Sequence, residues 1–342
     1  MDVSDILTDL NTAQREAVAA ESGNLLVLAG AGSGKTRVLV HRMAWLIRAE
    51  GVSPHALLSV TFTNKAAREM RSRIETMLNV PTQGMWVGTF HGLAHRLLKQ
   101  HWQEAQLPQN FQILDSDDQL RLVKRVCRDL NLDETQWPPR QAQWYINAQK
   151  DEGLRAGHID PPYGDLYAKT MLRVYSAYEE TCQRGGLVDF AELLLRAHEL
   201  WLKSPDTLQH YQRRFRTILV DEFQDTNTIQ YAWLRVLAGQ SIPVVAVGDD
   251  DQSIYGWRGA KIENIHRFGE DFSPAQTIRL EQNYRSTQTI LKAANGLISH
   301  NFGRLGKELW TAGDAGEPIS LYAGFNEQDE ARFIVERIEE WV

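Results

Sequence analysis

The chain has 342 residues, 43% hydrophobic and 24% charged, enough for two or three domains with a sizeable core. A formal net charge of −7 argues against a protein that coats nucleic acid by bulk attraction. Cys127 and Cys182 stand far apart without a CxxC partner, which argues against a disulfide framework or a cysteine zinc site. The acidic N-terminus lacks the basic and apolar regions of a secretion signal, and no apolar run approaches a membrane span, so a soluble cytoplasmic protein is expected.

In chain order, the first element is an apolar strand over 25–28, followed by Ala29-Gly30-Ala31-Gly32-Ser33-Gly34-Lys35-Thr36 and a helical pattern through Val38, Leu39, Ala44 and Trp45. Strand, glycine-rich turn and helix are the context of a phosphate-binding loop. Glycines let successive N–H groups curl toward one point, and the helix N-terminus adds partial positive charge. Lys35 is expected to reach the β- and γ-phosphates and the Thr36 hydroxyl to ligate Mg²⁺. The first position is Ala29 where the usual pattern has glycine, a small residue that still fits.

Further buried-strand runs fall at 57–62, 86–90, 218–220 and 244–247, the signature of a parallel sheet covered on both faces. Between Lys35 and Arg73 stand eight basic residues against Glu50 and Glu69, readable as a solvated helix face, the commoner meaning of clustered charge, so that composition alone leaves DNA binding undecided. The long gap after the third run carries helical patterns over 117–130 and 171–178, broken by Pro138-Pro139 and Pro161-Pro162. Residues 90–214 therefore read as a helical insertion, with a capped helix start at Asp189-Phe190-Ala191-Glu192. His91 and His95 have the i, i+4 spacing of a helical zinc pair but lack the accompanying Glu and any nearby Cys, so a core or surface role is favoured.

The fourth run ends in Asp221-Glu222. Beside a phosphate loop, Asp221 is expected to hold Mg²⁺ and Glu222 to orient and deprotonate a water; the alternative is a helix cap and a solvated carboxylate. After the fifth run comes Asp249-Asp250-Asp251-Gln252. Adjacent side chains diverge, so at most two of these aspartates are expected to share a metal, and Gln252 is the better candidate, as a γ-phosphate sensor. Tyr255, Trp257 and Arg258 interleave aromatics with a cation, readable as base-stacking residues or as core. Beyond Leu280, helical spacing over 287–299, a strand over 318–323 and a helix over 326–341 capped by Asn326 suggest the opening of another unit.

Together these segments resemble the UvrD/Rep/PcrA group of superfamily 1 DNA helicases, its UvrD branch most closely, over the whole chain and in order. Leu10-Asn11-Thr12-Ala13-Gln14 resembles the family's adenine-reading motif, with Gln14 the contact and Arg37 flanking the base. Thr61-Phe62-Thr63-Asn64 and Gly88-Thr89-Phe90-His91 resemble its single-strand contact motifs. Asp221-Glu222-Phe223-Gln224-Asp225 resembles its Mg²⁺ and water motif. Gly248 through Ala260 resembles the motif coupling nucleotide to DNA, in which Gln252 senses phosphate and Tyr255 and Trp257 stack on bases. Gln282-Asn283-Tyr284-Arg285-Ser286 resembles the first motif of the second motor lobe, where Tyr284 stacks on adenine and Arg285 acts as an arginine finger.

The resemblance implies an α/β fold: a RecA-like P-loop parallel sheet (1–89 and 215–280), a helical insertion (90–214) and the incomplete start of a second RecA-like lobe (281–342). It implies ATP and Mg²⁺ and movement 3′→5′ on single-stranded DNA and at single/double-strand junctions. It also implies DNA-repair partners and a monomer or weak oligomer. The family's later segments are not present, so the chain is expected to be the N-terminal part of a helicase. Two alternatives are an ATP- and DNA-binding module that does not unwind, and the motor of a RecB-type helicase–nuclease.

Overall fold

The computed structural model describes residues 3–342. Its centre is a six-stranded, wholly parallel sheet built from β1 (Asn24–Ala29), β2 (Leu57–Thr61), β3 (Trp86–Thr89), β6 (Thr217–Val220), β7 (Val244–Gly248) and β8 (Ala275–Leu280), in the order β3-β2-β6-β7-β1-β8. A two-residue pair, β4 (Gln112–Ile113) with β5 (Leu187–Val188), lies apart from it.

The continuous apolar runs follow from burial on both faces. Alternate residues of β1 enter different cores: Leu26 and Leu28 join one with Val60, Ile218, Val220 and Ala246, while Leu25, Val27 and Ala29 join the other with Leu219, Val245 and Val247. Each such Val or Leu contributes about 1.5–3 kcal/mol by leaving water. The first face is covered by the helices Phe90–Gln100, Phe190–Lys203, Pro205–Arg214 and Thr228–Ala238, the second by Thr12–Ala19, Lys35–Arg48 and Asn64–Leu78.

Residues 90–214 contain two kinds of helix. Those at either end pack on the sheet through Phe90, Leu97, Leu194, Trp201 and Tyr211. The helices between them, Ser116–Asp129, Pro139–Asp151 and Leu166–Gly185, close a core of their own around Val123, Ile146, Met171, Tyr175 and Tyr178. A buried ionic knot joins the two groups. Lys150 Nζ donates to Asp189 Oδ2 at 2.7 Å and lies 3.0 Å from Glu192 Oε2; the Tyr178 hydroxyl donates to the same Asp189 oxygen at 2.7 Å. Arg155 bridges Glu179, Glu192 and Glu199. Asp189 also caps its helix, accepting from Glu192 N at 2.7 Å, as the sequence suggested.

Two strand expectations need correction. β8 was not foreseen; it is an edge strand whose apolar residues alternate, burying Ile278 and Leu280 only. The strand expected over 318–323 does not form: among the described residues no neighbouring strand offers it hydrogen bonds, and Ile319 and Leu321 are exposed. The two late helices do form, Gln288–Ile298 and Glu327–Trp341, the second capped by Asn326, which accepts from Asp329 N at 2.9 Å. Among the described residues no helix is long and apolar enough to cross a membrane.

Removing one member of a buried ion cluster leaves the rest uncompensated. Lys150→Met is expected to lower stability by about 3–5 kcal/mol, read as the shift in urea unfolding free energy.

Candidate active site

Parallel sheets bind ligands beyond the C-terminal ends of their strands. Here β6, β7 and β1 are neighbours, so the segments following them meet although they are far apart in sequence. After β1, Gly32 and Gly34 take the left-handed φ values of +68° and +90° that the loop needs. A Cβ on Gly32 would fall 2.7 Å from Asn283 Nδ2 and 2.8 Å from Arg285 Cβ, so substitution is blocked by strain and by space. The helix Lys35–Arg48 begins with no side-chain cap, which leaves its first N–H groups open for an anion.

Lys35 Nζ lies 2.9 Å from Glu222 Oε2 and donates to Gln252 Oε1 at 3.3 Å. Three of the expected residues thus converge from three strands. Glu222 sits at φ +48°, a left-handed conformation that is costly for a residue with a side chain and tends to persist at functional positions. Its carboxylate accepts from Gln224 Nε2 at 2.9 Å, and the Gln252 amide donates to Asp249.

Asp221 continues the β6 ladder, its N–H donating to Val60 O at 2.9 Å, and its side chain is buried. Burial, reinforced by the neighbouring Glu222 charge and only partly offset by Lys35, pushes its carboxyl from the ordinary 3.8 up to about 7. Burial and Glu222 likewise raise Asp225 to about 6, and its buried Oδ1 has no hydrogen-bond partner among the described residues. Carboxyls short of positive charge, one with an orphaned oxygen, have the donor chemistry that a divalent cation takes. Thr36 Oγ1 makes no hydrogen bond among the described residues and is available as a further oxygen donor.

Gln14 is buried and its side-chain amide donates to Ser33 O at 2.8 Å, propping the phosphate loop from behind. Ser33 Oγ donates to Gly30 O at 2.7 Å, and Asn283 Nδ2 donates to Ala31 O at 2.6 Å. Ala29, the departure from the usual pattern, is the buried last residue of β1. Nearby, Arg37 is half-buried and Tyr284 exposed, with the Tyr284 hydroxyl accepting from Asn11 Nδ2 at 2.8 Å. Arg285 is exposed against the loop and has no carboxylate partner among the described residues.

The nucleic-acid candidates lie along the same strand ends. Thr63 and Thr89 cap the helices after β2 and β3, accepting from Ala66 N and Gly92 N at 3.1 Å each, and Asn64 is exposed at the first helix start. Phe62 is half-buried edge-on to Phe90. His91 packs against Phe190, and burial lowers its pKa to about 4, so the ring is neutral near pH 7. Its former partner in spacing, His95, packs instead on Phe111. Tyr255 is 38% and Trp257 76% exposed, with the Arg258 guanidinium 4.8 Å from the Trp257 ring, so these aromatics are not core. A cleft of about 910 Å³ is lined by members of both sets: Glu222, Gln224 and Gln252 together with Phe62, His91, Tyr255 and Arg258.

A family model for the UvrD/REP helicase N-terminal domain matches residues 10–273. The chain belongs to this helicase family. A second model, for the UvrD-like helicase C-terminal domain, matches residues 278–342. DNA helicase II of Escherichia coli (strain K12) is 68% identical over 341 residues, which is 100% of this chain and 47% of that protein. DNA helicase II of Haemophilus influenzae is 59% identical over 346 residues, with the same coverages of 100% and 47%. The ATP-dependent DNA helicase PcrA of Leuconostoc citreum is 45% identical over 341 residues, covering 99% of this chain and 46% of its own. The chain spans about half the length of the curated relatives it matches.

The sequence reading of the three aspartates needs correction. Asp250–Gln252 is a single 3₁₀ turn, not an extension of the strand, so the carboxylates of Asp249, Asp250 and Asp251 fan toward one point with oxygens within 4.8 Å of one another. The point they surround is the Lys307 ammonium. Lys307 lies more than fifty positions from the turn, and nothing in the local sequence marked it. Asn283, which holds the loop through Ala31 O, carries no role in the sequence reading although it stands beside Tyr284 and Arg285.

Asp221 gives a pH test with a definite sign. The folded state holds its proton up to about pH 7 and the unfolded chain only to about pH 4, so divalent-free stability falls as pH rises through that interval. Asp221→Asn is expected to be more stable than wild type at pH 8, by on the order of 3 kcal/mol, with the gap shrinking toward pH 5 in urea titrations. Added Mg²⁺ is expected to stabilise wild type and not the variant.

Proposed function

We propose that this chain is the ATP- and single-strand-binding part of an ATP-driven DNA helicase and translocase. The observation that carries the reading is the meeting of Lys35, Glu222 and Gln252 at the ends of three adjacent strands. Family membership and the DNA helicase names of its relatives support it. In this reading residues 1–89 and 215–280 form the first motor lobe, 90–214 the helical insertion and 281–342 the opening of the second lobe.

Each residue then has a chemical role. Open N–H groups of the Gly30–Thr36 loop and the Lys35 ammonium bind the triphosphate, which requires Lys35 to exchange Glu222 for phosphate. Freed of that ion pair, Glu222 becomes the stronger base and takes a proton from the attacking water. Gln252, hydrogen-bonded to Lys35, registers whether the γ-phosphate is there. Arg285, beside the loop and without a carboxylate partner among the described residues, stabilises charge in phosphoryl transfer. Gln14, Arg37 and Tyr284 surround the adenine. Asp221 and Thr36 hold Mg²⁺, which neutralises phosphate charge when bound.

Phe62, Tyr255 and Trp257 stack on bases, with Arg258, His91, Thr63, Asn64 and Thr89 lining the strand's path. Stacking tolerates any sequence, as a translocating motor requires. The 3′→5′ direction, action at single/double-strand junctions, a cytoplasmic site, DNA-repair partners and a monomeric or weakly associated state belong to the same proposal.

A second reading applies to the chain by itself: a module that binds ATP and single-stranded DNA without unwinding. It is favoured by the helix Glu327–Trp341, which buries none of its residues.

Lys35→Ala is expected to abolish binding of a fluorescent ATP analogue while leaving circular dichroism unchanged; retained binding would remove the phosphate role. Glu222→Gln, in a chain extended to the relatives' length, is expected to keep that binding yet lose DNA-stimulated hydrolysis by at least about 100-fold. Trp257→Ala is expected to weaken oligo-dT binding in anisotropy titrations by about 1–3 kcal/mol, and unchanged affinity would remove it from the strand's path.

A further inference from the structure

An ammonium group has three N–H donors, and Lys307 uses one on each of three carboxylates. Its Nζ lies 2.6 Å from Asp249 Oδ1, 2.7 Å from Asp250 Oδ1 and 2.7 Å from Asp251 Oδ2, with the side chain only 2% exposed. Arg304 adds a two-pronged contact to Asp251 at 2.6 and 2.7 Å, and Leu305 N donates to Asp250 Oδ2 at 2.8 Å. Three carboxylates this close repel one another unless a cation sits among them. The carboxylate geometry is one that could suit a metal ion, but the ammonium already fills it.

The turn held in this way touches both halves of the hydrolytic site. Asp249 accepts from the Gln252 amide, and Gln252 in turn accepts from Lys35. Asp249 N donates to Gln224 Oε1 at 2.9 Å, and Gln224 donates to Glu222. Three residues beyond Gln252 stands Tyr255, then Trp257. The segment carrying Lys307 also rests on the phosphate loop, where a Cβ on Gly30 would collide with the Leu309 side chain.

We propose that Lys307, assisted by Arg304, is a positioning residue: an internal counter-ion that holds the Asp249–Gln252 turn against Lys35 and thereby links nucleotide binding to the exposed aromatics Tyr255 and Trp257. The inference rests on the ATP- and DNA-binding reading above and adds to it the element that couples the two sites. Without the ammonium, the three carboxylates drive the turn open and Gln252 leaves Lys35.

The test is a linkage measurement on this 342-residue chain. Affinity for fluorescent oligo-dT is measured with and without a nonhydrolysable ATP analogue and Mg²⁺, and the ratio gives the coupling factor. Wild type is expected to show a factor of roughly 5- to 150-fold in either direction. Lys307→Met is expected to bring it close to unity while the analogue still binds. Lys307→Arg, which keeps the charge, is expected to retain most of it. A merely destabilised protein would lose both affinities together and would not be rescued by charge. Should Lys307→Met fail to fold, Arg304→Gln carries the test, with a coupling factor reduced several-fold. Wild-type coupling in a folded Lys307→Met or Arg304→Gln protein overturns the inference, as does a wild type that binds both ligands without coupling. A wild type that binds neither ligand overturns the ATP- and DNA-binding reading itself.

Discussion

The organising constraint is a concentration of buried and half-buried carboxyl groups at one edge of a parallel sheet. Asp221, Glu222 and Asp225 follow β6; Asp249, Asp250 and Asp251 follow the adjacent β7. Carboxylates withdrawn from water need a cation, a proton or a metal. The second group is supplied by Lys307 and Arg304 and is complete. The first has only Lys35 among the described residues, and burial, reinforced by the Glu222 charge, makes Asp221 hold its proton up to about pH 7. That imbalance leaves room for a divalent cation at β6 and removes the need for one at β7.

The same edge explains why the phosphate loop is built as it is. Its glycines do more than turn the chain. Gly30 and Gly32 let Leu309, Asn283 and Arg285 from beyond β8 lie directly on the loop. Gln14 and Asn283 each donate to a loop carbonyl, Ser33 O and Ala31 O, and so fix the loop from outside it. The loop is therefore preorganised by residues from both ends of the chain.

Much of this was legible in sequence, for identifiable reasons. Strands buried on both faces read as unbroken apolar runs, so five of the six sheet strands stood out; β8, half exposed at the edge, did not. The stretch 318–323 had the composition of a strand, but pairing is a property of neighbours and not of composition. The aspartate run was misjudged because side-chain divergence holds along an extended strand, whereas Asp250–Gln252 closes into a turn. Tyr255 and Trp257 needed exposure to separate stacking from packing. Lys307 was invisible because a counter-ion is chosen by the fold, from any distance along the chain.

The most direct test of the central claim is a crystal structure of the chain with a nonhydrolysable ATP analogue and Mg²⁺. The triphosphate is expected against Gly32–Thr36, the metal beside Asp221, and Lys35 moved from Glu222 onto phosphate, with Lys307 still enclosed by its three aspartates. A vacant loop, or a metal seated among Asp249, Asp250 and Asp251 with Lys307 expelled, would contradict that claim.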